Sequence, residues 1–101
     1  MRVYLALGLD ELTALADGEA VTVEAYVPAS QDEEDELAAL EEASDHGPVA
    51  AAAEVDYPDG SVTLAEIASF HLDTDGSGHL AWFATQEIDA VIRELRTTAP
   101  E

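Results

Sequence analysis

VAAAAEVDY, residues 49–57, is the stretch whose conformation decides the fold. Its run of four alanines favours helix by intrinsic propensity. The context favours a strand. Gly47-Pro48 precedes the run, Val49, Val55 and Tyr57 flank it, and Tyr57-Pro58-Asp59-Gly60 has the composition of a tight turn. Upstream, QDEEDELAALEEASD (31–45) predicts a helix. Ser30 and Glu33 have the spacing of a capping box, and His46-Gly47-Pro48 ends the helix. Leu37 and Leu40 are its only large apolar residues, so it can dock only along a narrow stripe. Further back, VTVEAYV (21–27) alternates like a strand. Asp10 is the expected N-cap of a short helix carrying Leu12, Leu15 and Ala16, with Gly18 as its stop. RVYLAL (2–7) reads as a buried strand.

Downstream, Thr63 and Glu66 have capping-box spacing around a single turn, and ASFHLD (68–73) reads as a strand. HLAWFA (79–84) reads as another strand or as the lead into the last helix. Thr85 is the expected cap of that helix, whose Ile88, Val91, Ile92 and Leu95 recur at i, i+3, i+4 and i+7. Glu87 and Asp89 in its first turn and Arg93 and Arg96 in its last match the helix dipole. Together these segments predict a two-layer α/β sandwich. One small sheet carries helices packed on one face, in a single domain over residues 1–101 with an acidic helix at about 31–45.

Charge is the strongest compositional signal. The 101 residues include 23 Asp or Glu and 3 Arg, with no Lys, for a net charge of −20. Such a balance with few hydrophobic residues would read as disorder. Here 48% of residues are hydrophobic, although 19 of them are Ala. The remainder suffices for one small core, and salt is expected to stabilise it by shortening the range of self-repulsion. Arg2, Arg93 and Arg96 are too few to displace counterions from a nucleic acid, so direct nucleic-acid binding is not expected. No apolar run is long enough for a membrane helix, no secretory signal is seen, and there is no cysteine. A cytoplasmic location is the default expectation.

The sharpest local motif is Asp73-Thr-Asp75-Gly-Ser77-Gly78-His-Leu80. It matches the first eight positions of an EF-hand loop, with Asp73, Asp75 and Ser77 as oxygen ligands and calcium as the candidate cation. The bidentate Glu expected at the twelfth position is replaced by Ala84, and a solvated hairpin loop is the plainer reading. His71 and His79 flank this loop and could meet across a hairpin, although their spacing is no recognised ligand pattern. No set of residues assembles a catalytic site, so no enzyme activity and no cofactor are expected. Trp82 to Glu87 could line a pocket, but reads more simply as core followed by a helix cap.

MRVYLA at the start, LAEIASFHLD in the middle and WFATQEIDAVI near the end together resemble a small actinobacterial family that opens with MRVY and closes with a W(F/Y)ATQE segment. That family has no assigned activity, so the resemblance implies no catalytic residues.

Acids at this density oppose folding and need a cause. One cause is function: a non-enzymatic module whose acidic helix engages a protein with a basic surface, in the strongest form imitating the phosphate spacing of DNA. Asp32, Glu33, Glu34, Asp35, Glu36, Glu41, Glu42 and Asp45 are the candidate contact residues. The other cause is environment. Fifteen of the 23 acids lie outside this helix, and such dispersion is what a high-salt interior would favour.

Overall fold

The computed structural model describes residues 1–57, 61–74, 76–77 and 79–98. Strand β1 (Arg2–Leu7) is followed by helix α1 (Leu9–Ala16) and by two short strands, β2 (Val21–Thr22) and β3 (Ala25–Tyr26). Helix α2 (Glu33–His46) leads into β4 (Val49–Glu54), so the decisive alanine run is a strand. The chain continues through β5 (Ser61–Val62), β6 (Ile67–Leu72), β7 (Ala81–Ala84) and helix α3 (Ile88–Thr98). Five strands form one antiparallel sheet in the order β3-β1-β4-β6-β7, and β2 pairs with β5 in a separate ribbon.

The alanine run forms a strand because it lies at the centre of this sheet, between β1 and β6. Ala50, Ala51, Ala52 and Ala53 are buried on both faces, where tertiary packing overrides helix propensity. On one face Val3, Leu5, Leu7, Val49, Ala51, Ala53, Phe70 and Leu72 meet Leu12 and Leu15 of α1 and Ile88, Val91, Ile92 and Leu95 of α3. A register shift between Ala52 and Ala53 against β6 brings Ile67 into the same core as Phe70.

The expected α/β sandwich is therefore present, with helices packed on one small sheet. Their distribution differs from the expectation in one respect. α1 and α3 share one face, whereas α2 lies on the other, its Ala39 and Ala43 packed with Tyr4, Tyr26, Ala50 and Ala52. Methyl groups on both sides of this seam let helix and sheet approach closely. Gly47 belongs to the same close approach, because a Cβ there would lie 3.1 Å from the Ala6 Cβ and 3.2 Å from the Leu7 nitrogen.

Several local expectations shift. Residues 21–27 are two strands rather than one: Val21 and Val23 pack into the core beside the ribbon, and Tyr26 pairs with Tyr4 at the sheet edge. α1 is capped at Gly8, whose N–H donates to Glu11 Oε1 at 2.7 Å, so Asp10 falls within the first turn. Gly18, at φ +87°, ends α1 with its N–H on the Leu15 carbonyl and the Glu19 N–H on that of Ala14. Asp32 is the N-cap of α2. Ser30 acts from two residues earlier, accepting from the Asp32 N–H and donating to Asp35 at 2.6 Å. The Thr63–Glu66 capping box is present around one 3-10 turn. Before α3, Glu87 accepts from the Ala84 N–H, and Thr85 ties the turn to the sheet through a 2.6 Å bond to the Ile67 carbonyl.

Candidate functional site

The eight nominated carboxylates all lie on α2 or at its cap, but they are not equivalent. Asp32, Glu33, Glu34, Glu41, Glu42 and Asp45 are exposed, whereas Asp35 and Glu36 are half-buried. Asp35 accepts from Ser30, and Glu36 Oε1 accepts the Tyr4 phenol at 2.9 Å. Burial, followed by this contact with Glu36, raises the Tyr4 pKa, so the phenol keeps its proton. Sequence reasoning missed the Tyr4–Glu36 pair. The available signal was strand alternation, which puts Arg2, Tyr4 and Ala6 on one face of β1.

Of the three arginines, Arg2 lies on the α2 side of the sheet, lining a pocket with Ser30, Gln31 and Glu36 at the N-terminal end of the helix. Its guanidinium is paired with Glu54 of β4, the Nε donating at 2.6 Å. Arg93 and Arg96 are exposed on α3, on the opposite side of the sheet. His46 closes α2, its ring stacked on Tyr26 at a centroid distance of 5.4 Å and its Nδ1–H on the Glu42 carbonyl. Glu34, Glu41 and Asp45, at i, i+7 and i+11, form one stripe of exposed carboxylates along the helix.

Beside that stripe the second face of the sheet is incompletely covered. A groove of about 690 Å³ runs between α2 and the β6–β7 hairpin, lined by Leu37, Leu40, Glu41, Asp45, His71 and Leu80 among others. Both histidines flanking the loop, His71 and His79, reach this groove. His71 shares a 2.8 Å hydrogen bond with Ser69, and burial lowers its pKa. Among the described residues, no group of three or more Asp, Glu, His or Cys side chains is placed to hold a metal ion.

The loop nominated for calcium joins two strands, not two helices. Asp73 Oδ1 accepts the Gly76 N–H at 2.7 Å, with Gly76 at φ +77°, and Ser77 Oγ accepts the His79 N–H. These bonds are those of a turn. Asp75, the middle nominated ligand, lies outside the described residues. Ala84, where an EF-hand carries its bidentate Glu, sits in β7 opposite Ser69. In the Trp82–Glu87 segment Trp82 is exposed on β7 and Glu87 is occupied with capping.

No helix among the described residues is long and apolar enough to cross a membrane. Comparison with protein-family models, curated proteins and solved structures returned no match.

Proposed function

We propose that the chain is a non-enzymatic interaction module whose helix α2 receives a basic surface of a partner protein. The observation that carries this reading is the exposure of six carboxylates along one helix, on the side of the sheet away from Arg93 and Arg96. A helix of this length spans about 20 Å, so its field presents a ridge of negative potential. Such a ridge speeds encounter with a basic partner and makes the complex sensitive to salt. Small residues on the inner side of α2 allow the helix to dock while its outer side stays charged.

A second reading has its own observation. Exposed acids also occur on the other side of the molecule, at Asp10, Asp17 and Asp89. That spread is expected if the whole surface is adapted to high salt.

One experiment separates the two. The chain is used to capture proteins from a lysate at low salt, followed by elution with salt. It is compared with a variant carrying Glu33→Gln, Glu34→Gln, Glu41→Gln and Glu42→Gln, and with one carrying Asp10→Asn, Asp17→Asn and Asp89→Asn. The interaction reading expects the α2 variant to lose the salt-released protein and the other variant to keep it. Capture of nothing by the parent chain, or equal capture by all three, sinks it.

A further inference from the structure

The groove beside α2 extends the acidic-surface reading and rests on it. α2 covers β3, β1 and β4 but leaves the β6–β7 end of that face open. Ala50, His71 and Trp82 are successive cross-strand partners on β4, β6 and β7, so their side chains form one row on this face. Exposure rises outward along the row: Ala50 is fully buried, His71 is half-buried, and Trp82 is 62% exposed. Leu37 faces the same groove from α2 and is 54% exposed, with Leu40 and Leu80 beside it. Leu37, Leu40 and Leu80 thus lie alongside Glu41 and Asp45 in the groove, and the one tryptophan of the chain stands one strand beyond His71 on the same face. Oily surface next to unneutralised carboxylates is the complement of a segment that is oily on one side and cationic on the other.

We propose that this groove seats a cationic amphipathic segment of a partner protein. Aliphatic side chains of that segment lie over Leu37, Leu40 and Leu80. Its Arg or Lys residues meet Glu34, Glu41 and Asp45, and one guanidinium stacks on the face of Trp82. Charge argues against a second copy as the occupant, since two chains of net charge −20 repel at ordinary ionic strength.

The test uses two labelled synthetic peptides of equal length and equal arginine content. In one the remaining residues are leucines on the opposite helical face; in the other they are serines. Affinity is read by fluorescence anisotropy at about 0.5 M KCl, where charge attraction alone is strongly screened. The leucine–arginine peptide is expected to bind about tenfold or more tightly than the serine–arginine peptide, the scale of burying one or two aliphatic side chains. It should also shift the Trp82 emission to the blue. Leu37→Ser should weaken the leucine–arginine peptide about fivefold or more and leave the serine–arginine peptide unchanged, whereas Trp82→Ser, which also removes the stacking partner of the guanidinium, should weaken the leucine–arginine peptide by a similar factor. Both replaced residues are largely exposed, and circular dichroism verifies that the variants fold. Val27→Ser, at an exposed residue away from the groove, is the control and should change nothing. Equal binding of the two peptides overturns the groove while leaving the acidic helix as a binding face. Binding of neither at low salt overturns both readings. Self-association in about 1 M KCl that Leu37→Ser abolishes overturns the proposed occupant in favour of a second copy.

Discussion

Tyr4 shows how one side chain ties the acidic helix to the sheet. Its ring is 6% exposed, and its hydroxyl reaches Glu36 across the seam between β1 and α2. Tyr4→Phe keeps the packing but leaves a half-buried carboxylate without that donor, so a loss of about 1–2 kcal/mol is expected in urea unfolding. A variant as stable as the parent would show that water serves Glu36 equally well. His71 gives a prediction of opposite character. Its folded pKa lies below the ordinary imidazole value because burial disfavours the cation. As pH falls below about 6.5, the unfolded chain takes up a proton that the folded chain resists. Stability is then present above that pH and is lost as acid is added, down to the lower folded pKa. Glu41, Asp45 and His79 border the same groove, and Ser69 bonds the ring directly. His71→Gln should flatten this part of the pH profile, measured as the difference in thermal midpoint between variant and parent across pH 5 to 7 (about the range in which imidazole titrates). Parallel profiles would remove His71 as a contributor.

At the level of elements, much of the fold was legible. The 3.6-residue spacing of Ile88, Val91, Ile92 and Leu95 predicts α3, and all four are buried. RVYLAL predicts β1 over its full observed length. What misled was pairing and layering. Alternation in VTVEAYV gives the face of each residue but not its neighbour, so the change of sheet at Val23-Glu24 left no periodic trace. The second helical layer did leave one: Ala50 to Ala53 shows no alternation, as expected of a strand covered on both sides. The acidic helix was located from its charge and punctuation, with bounds shifted by one or two residues. The groove beside it was not legible, because it depends on Leu37 of α2, His71 of β6 and Leu80 before β7 lining one space from distant parts of the chain. The alanine seam is itself testable. Ala52 is 2% exposed and packs in the α2-facing cluster with Ala39 and Ala43, so Ala52→Leu should overpack that seam and cost about 1–3 kcal/mol. Chemical denaturation measures it, and an unchanged midpoint would mean that α2 can lift without penalty.

For the whole molecule, charge competes with a modest core. The radius of gyration is 12.5 Å, close to the roughly 13 Å expected for a folded chain of this length, so the carboxylates are held close together. The Debye length falls from about 30 Å at 0.01 M salt to about 3 Å at 1 M. The thermal midpoint should therefore rise markedly with KCl over that range. Substituting exposed α2 acids with Gln should raise the low-salt midpoint and reduce the salt response. A midpoint independent of salt would mean that self-repulsion does not limit stability. The sheet ends bear on the same balance. β3 has two residues and β7 has four, and each presents an outer rim that no described strand covers. Short rims limit accretion of foreign strands, and mutual repulsion between whole molecules adds a second safeguard. That safeguard vanishes near the isoelectric point of about 4.1. Acidified solutions should turn cloudy there and bind dyes specific for stacked strands, first at the Trp82 rim, where a bulky aromatic ring stands on a strand that no described strand pairs on its outer side.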